Sequence, residues 1–433
     1  MVRLTSRVVD LPKHFRAAPR LRELSMLGRG LGLIARAAIV SVVSLIGGVL
    51  FVCEVRSAPD LPSRPPQFIV ISFDNGSEVE RWRGLVGLAR TLKDRGTDVR
   101  FTFFFSAANL FAYENRRLYK GPRLAVGRSN IGFGGSRRMV VERVAAINAA
   151  ISDGHEFASH AVGHFQGGSG GCSPGRAGIT CGAGWSAAEW TDEFDRFDAA
   201  VRDVATNNPG PHGEPAIAAI RNPPVQGFRA PHLSVNDAMF EALKARGMRY
   251  DASWPRGAGV EEWPQRHDAT GLWLFKMPFL TLRSVDGQPM RWRTLAMDYN
   301  FCALQTRRAG HSCDRPNRDP ATRARFSDEM LETYKAYFAE VFEGSRAPMH
   351  IGHHFTDFQD GSYRRALETF VAEACRHAEV RCVTYAELTD WLESLSPERL
   401  ESYRAGSFDR QGMPASRLAP GRRVAAGGSP ETR

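Results

Sequence analysis

From Phe68 onward, short apolar runs alternate with longer stretches whose apolar residues recur at helical spacing, and this alternation constrains the fold more than any other feature of the chain. "QFIVISF" (67–73) reads as a strand, "EVERWRGLVGLARTLKDRG" as a helix closed by Gly96, and "DVRFTFFF" as a second strand. Further helical patterns cover 138–153, 187–205, 235–246, 321–342, 363–377 and 385–395, with "SAAE" at Ser186 forming a capping box. Short strands are expected beside "HEFAS", "GFRAP", "MRYDAS", "PMHIGHH" and "VRCVTY". Repeated strand-to-helix succession makes a largely parallel sheet covered by helices, open or closed into a barrel.

The flanks of this region read differently. Residues 1–36 form a basic segment with eight Lys/Arg against two acids, and 37–53 follow as seventeen residues without a charge. That length spans a bilayer marginally, and the basic flank places the amino terminus in the cytoplasm and the rest outside. A cleaved signal peptide is the competing reading. Residues 54–66 are a proline-rich linker, 67–396 the strand-and-helix domain, and 397–433 a tail expected to be disordered. Within that domain, 167–184 holds eight glycines in eighteen residues, and 256–320 shows no clear period. Both are expected as long loops.

The net charge of +10 is dispersed, with concentrations only at the two ends, and no aromatic-basic reader motif accompanies it. A nucleic-acid partner is therefore not expected. Beyond the apolar segment six cysteines fall as near neighbours, 172 with 181, 302 with 313, and 375 with 382. That pattern suggests disulfides in an oxidising compartment, with local pairing the simplest of the connectivities.

Six of the twelve histidines lie in two clusters. In "GHEFASHAVGH" His160 and His164 stand at i, i+4 and could meet one metal ion if the segment is helical. Asp74 in "SFDNG" would sit at the carboxyl end of a strand, where barrel enzymes place catalytic groups. "GFRAPH" ends another strand with Arg229, able to orient a carboxylate, while "YDASW" and "HIGHHF" close two more with Asp251 and His353/His354. Taken singly, each has a bland account: a turn Asp, a surface Arg, a core His.

Their order changes the odds. "SFDNG", "HAVGH", "RAPH", "YDASW" and "HIGHH" resemble the five dispersed motifs of the polysaccharide deacetylase family, the NodB-homology enzymes of carbohydrate esterase family 4. The resemblance implies an α/β fold, a distorted (β/α) barrel, and hydrolysis of N-acetyl groups on amino sugars. It implies that His160, His164 and Asn75 hold a divalent metal, zinc with cobalt or manganese as alternatives, and that Asp74 is the general base. Arg229 would hold Asp74, and Asp251 would orient the acid, His354 or His353, which strand alternation puts on opposite faces. A backbone N–H near Pro231 or His232 would stabilise the oxyanion, and Trp254 could stack on a sugar.

Asn75 stands where the family has a metal-ligating Asp, and His232 where it has Tyr. The expected substrate is a cell-envelope polysaccharide, peptidoglycan or a chitin-like glycan, met by a membrane-anchored enzyme in the periplasm or extracellular space. The rivals are a catalytically silent carbohydrate-binding protein and a hydrolase of another amide.

Overall fold

The computed structural model describes residues 61–168, 184–210, 216–221, 225–254, 259–313 and 315–410. The apolar segment 37–53, most of the linker, and Cys172 with Cys181 lie outside the described residues. No helix among those described is long and apolar enough to cross a membrane.

In chain order the elements are β1 (Gln67–Asn75), α1 (Val79–Asp94), β2 (Thr102–Phe105), α2 (Arg137–Ser152), β3 (Glu156–Ser159) and α3 (Ala187–Arg202). There follow β4 (Gly227–Phe228), α4 (Asp237–Ala245), β5 (Tyr250–Asp251), β6 (Gln265–Arg266), β7 (Trp273–Leu274), β8 (Phe279–Arg283) and β9 (Pro289–Leu295). The chain then forms α5 (Asp298–Arg308), α6 (Pro320–Glu343), β10 (Met349–His354), α7 (Phe358–Ala374), β11 (Val380–Val383), α8 (Tyr385–Glu393) and α9 (Pro397–Arg404). The main sheet runs β10-β1-β2-β3-β4-β5-β7-β6, parallel except for the last pair, while β11 also pairs with β1. It is an open sheet of barrel type.

β1 is buried from end to end except at Asn75, because both of its faces are covered. That is why it reads as a continuous apolar run rather than an alternating one. On the inner face, Phe68, Val70, Phe104, Ala158, Tyr250 and Ala252 form one cluster, floored by Tyr385, Leu388 and Leu392 of α8. On the outer face, Ile69, Ile71, Phe73, Phe103 and Phe157 pack beneath helical residues such as Trp82, Val144 and Phe197.

Two expectations are corrected. The stretch 256–320 is no bare loop: it carries β6, β7, an antiparallel β8–β9 hairpin and α5. Its signal is faint because the buried face of α5 mixes Phe301 and Cys302 with Gln305 and Thr306, whose amide nitrogen and hydroxyl donate to internal acceptors. Nor is the region from 397 wholly a disordered tail. Ser396 caps α9, Pro397 opens it, and Tyr403 and Phe408 are buried in the inner cluster. Tyr403 donates to the Ser63 carbonyl at 3.1 Å, and the Asp409 N–H donates to that of Pro62 at 2.9 Å, so both ends of the domain are tied together. Cys302–Cys313 and Cys375–Cys382 form disulfides.

Candidate active site

The parallel register of β1 and β10 sets Asp74 directly beside His354. Side chains alternate across a strand, so these two share the inner face with Ser72 and His350, whereas Phe73 and His353 point outward. Arg229, just past β4, is fully buried and reaches across the barrel. Its guanidinium donates to Asp74 Oδ1 at 2.8 Å, Ser72 Oγ at 2.8 Å, the Ala252 carbonyl at 3.0 Å and Tyr385 Oη at 3.2 Å. Asp74 Oδ2 receives no donor from the described residues. The carboxylate is thus locked by one oxygen and keeps the other for chemistry.

His354 is half-buried, and its Nδ1 meets Asp298 Oδ1 at 2.6 Å while its backbone N–H meets Oδ2 at 2.9 Å. Asp298 is the first residue of α5 and is almost wholly buried. Burial works against an imidazolium, but the adjoining carboxylate outweighs it and raises the His354 pKa above the usual histidine value. Burial likewise works against the Asp298 anion, and the two histidines override it, so its pKa lies below the carboxylate norm. His353 is sealed on the outer side against Phe73, with Nε2 3.2 Å from Tyr334 Oη and Nδ1 3.5 Å from Asp298. Burial lowers its pKa to about 4, so it stays neutral and away from the barrel interior.

Asp298, not Asp251, is therefore the partner of the site histidine. Asp251 instead accepts from the Ser253 hydroxyl at 2.5 Å and the Ser253 N–H at 3.1 Å, and Ser253 Oγ accepts from the Ala230 N–H at 2.7 Å. Its task is to hold the backbone that presents Arg229 and Pro231. Burial pushes its carboxyl up to about 7.

His160 and His164 do come together, but not on a helix. The chain leaves β3 into a turn with left-handed backbone at Ala161 (φ 58°) and His164 (φ 57°), which sets the rings 4.9 Å apart between centroids. Buried Glu193 of α3 accepts from the Val162 and Gly163 N–H groups at 2.9 and 3.2 Å and from the Tyr119 hydroxyl at 2.8 Å. Asn130 donates to the carbonyls of Gly163 at 2.9 Å and His164 at 3.1 Å. His232, in a left-handed 3₁₀ turn after Pro231, lies 4.6 Å from the His164 ring. Pro231 has no N–H, so only His232 of that pair could donate to an oxyanion. Trp254 packs on Phe240 with centroids 5.9 Å apart at the same end of the sheet.

Asn75 and Gly76 take φ of 90° and 82°, turning the chain sharply off β1. A Cβ at Gly76 would lie 2.4 Å from the Phe105 ring, so the turn needs glycine sterically as well as conformationally. Buried Arg143 fastens this turn by donating to the carbonyls of Ser77, Asn109 and Gly134. Neither Arg143 nor Glu193 belongs to a motif, and only their burial betrays them.

His160 Nδ1 bonds the Arg229 carbonyl at 2.7 Å, which makes it the protonated nitrogen and leaves Nε2 with its lone pair. Burial lowers the His160 pKa to about 4 and, with the neighbouring histidines, carries His164 well below its norm, so both are neutral donors. Asn75 Oδ1 accepts from Asn109 Nδ2 at 2.8 Å, which orients the amide and occupies one of the oxygen's two lone pairs. The residues fit a neutral, weakly binding set of two imidazoles and one amide oxygen. Among the described residues, no group of three His, Cys, Asp or Glu side chains is arranged to hold a metal.

No family model matches the chain, and no curated protein matches it. Among solved structures it is similar to a candidate polysaccharide deacetylase from Mycobacterium smegmatis, with 15% identity and a TM-score of 0.43 over 78% of this chain and 97% of that one. It is similar to the Puue allantoinase, with 13% identity and a TM-score of 0.41 over 80% of this chain and 99% of that one. It is also similar to a carbohydrate esterase family 4 pseudoenzyme from Bacillus anthracis, with 11% identity and a TM-score of 0.37 over 78% of this chain and 70% of that one.

Proposed function

We propose that the chain is a metal-dependent hydrolase that removes N-acetyl groups from amino sugars of a cell-envelope polysaccharide, peptidoglycan or a chitin-like glycan. The observation that carries this reading is the facing pair Asp74 and His354, register partners on one face, each held by a buried group of opposite character, Arg229 and Asp298. Amide hydrolysis needs a base for water and an acid for the departing amine, and this pair supplies a carboxylate and an imidazole for those two tasks. Asp74 Oδ2 takes the proton of the attacking water, while Arg229 keeps the carboxylate aimed across the barrel. His354, with Nδ1 tied to Asp298, presents Nε2 to the leaving nitrogen and returns a proton there. The His232 N–H would meet the oxyanion. His160 Nε2, His164 and Asn75 Oδ1 would hold a divalent ion, zinc, cobalt or manganese, which when bound supplies Lewis acidity to the acetyl carbonyl and to water. The two disulfides support an oxidising compartment outside the cytoplasm, in keeping with a membrane-anchored envelope enzyme.

Acetate release from N-acetylated peptidoglycan and chitin oligomers tests the reading. Asp74→Asn and His160→Ala are each expected to abolish release while the circular dichroism spectrum stays native, and full activity in either variant refutes the assignment. The neutral donor set also favours a second reading, a silent glycan-binding protein. Sugar binding without acetate release under added zinc, cobalt or manganese decides for it.

A further inference from the structure

The segment 113–128 follows β2 and borders the candidate site, yet none of the chemistry above uses it. It carries five cations, Arg116, Arg117, Lys120, Arg123 and Arg128, against one acid, Glu114. Two of the five are engaged. Arg116 lies over the Tyr113 ring at 4.1 Å, and Arg123 meets Glu189 at 2.7 Å. Arg117, Lys120 and Arg128 are exposed and have no ion-pair partner among the described residues. Beside them Tyr113 and Leu118 are 59% and 58% exposed.

What gives this patch meaning is its attachment. Tyr119, between Leu118 and Lys120, bonds Glu193, the same carboxylate that holds the Val162 and Gly163 N–H groups of the histidine turn. Asn130, two residues past Arg128, bonds the carbonyls of Gly163 and His164 directly. The free cations thus flank the two points where this segment is fastened to the turn that presents His160 and His164. A solvated basic face elsewhere on the surface would have no such tie.

We infer that segment 113–128 is a binding rim for a carboxylate-bearing glycan, so that the site's substrate class is an N-acetylated polysaccharide whose repeat also carries acidic groups. This rests on the deacetylase reading for the chemistry, but the binding claim stands on the rim alone. Arg117, Lys120 and Arg128 supply the field that gathers an acidic polymer, and Tyr113 and Leu118 supply apolar faces for sugar rings. A lipid surface is the other partner that cations with exposed apolar groups can meet. The glycan is favoured because the patch is fastened to the histidine turn.

The experiment measures binding of the full chain to two probes of equal length, an unsulfated N-acetylheparosan oligosaccharide, which bears uronic carboxylates, and a neutral chitin oligosaccharide. The acidic probe is expected to bind about tenfold or more tightly at low ionic strength, with the preference shrinking as salt screens it. The variant R117E/K120E/R128E is expected to lose the preference, and K93E/R95E/K244E, an equal charge change on helix ends away from the rim, to keep it. Equal binding of the two probes, a preference untouched by the rim variant, or the same loss in both variants overturns the inference. So does a rim variant that loses binding to anionic phospholipid vesicles while keeping the acidic glycan. Acetate release is recorded alongside. Charge-dependent binding with no release from either probe or from N-acetylated peptidoglycan supports the rim and sinks the deacetylase reading, whereas release from chitin with no preference sinks the rim alone.

Discussion

Asp298 selects between two adjacent histidines by bonding the one that faces inward through both its ring and its backbone N–H. Removing its charge is expected to change a pH profile more than a fold. His354 carries a raised pKa, so its protonated form persists above the ordinary histidine value and is lost as pH rises through the raised one. In Asp298→Asn the alkaline limb of acetate release should move to lower pH, with activity at neutral pH falling about a hundredfold. The same contact seen as stability contributes fully between the unfolded carboxylate and unfolded histidine values, and is lost as pH falls through the depressed Asp298 value or rises through the raised His354 value. The substitution should therefore flatten the unfolding free energy against pH across that window. Asn75 offers a second single-residue test. Asn75→Asp adds an anionic donor and is expected to tighten zinc binding, read by calorimetric titration, by at least about tenfold. Asp74, Arg229 and the histidine pair were legible because each closes an apolar run in a short motif. Asp298 was not: an acid at a helix start has an ordinary role in the helix dipole, and only the folded register brings it to His354.

Among the elements, the histidine turn depends most on a residue outside any motif. Glu193 holds two buried N–H groups that would otherwise go unpaired, so Glu193→Ala is expected to cost about 3 kcal/mol in urea unfolding and to loosen metal binding. Glu193→Gln keeps an acceptor oxygen and should retain most of both. Helices with an unbroken apolar stripe, such as α3 and α8, were readable almost to their ends, α3 with the help of the capping box at Ser186, and the structure adds a second such box at Thr384. The i, i+4 spacing of His160 and His164 suggested a helix, and the left-handed residues at Ala161 and His164 reach the same proximity by another route. Spacing registered the meeting of the rings and misjudged the backbone beneath them. β8 and β9 escaped notice because much of the hairpin surface is exposed, which dilutes the two-residue period.

At the scale of the whole domain, the floor of the barrel that α8 provides is extended by residues the composition assigned to a tail. Tyr403 and Phe408 are 3% and 2% exposed, and burying two such rings contributes about 4 kcal/mol. A chain ending after Leu395 should therefore melt roughly 5–10 °C lower than one ending after Arg410, as read by calorimetry. A stretch rich in Arg, Ser and Glu can still be anchored by two aromatic residues, and average polarity conceals such anchors.

β1 has a further consequence, for the order in which the molecule can be completed. Among the described strands it is the first to emerge during synthesis, yet two of its neighbours, β10 and β11, begin at Met349 and Val380. The earliest strand must therefore wait for the last ones, with only β2 beside its carboxyl half in the meantime. Pairings of such long sequence separation form slowly, and an unpaired apolar edge is exposed until they do. Because Asp74 and His354 lie on the two sides of that final seam, they meet only when it closes, and a nascent chain holds no assembled site before the domain is whole.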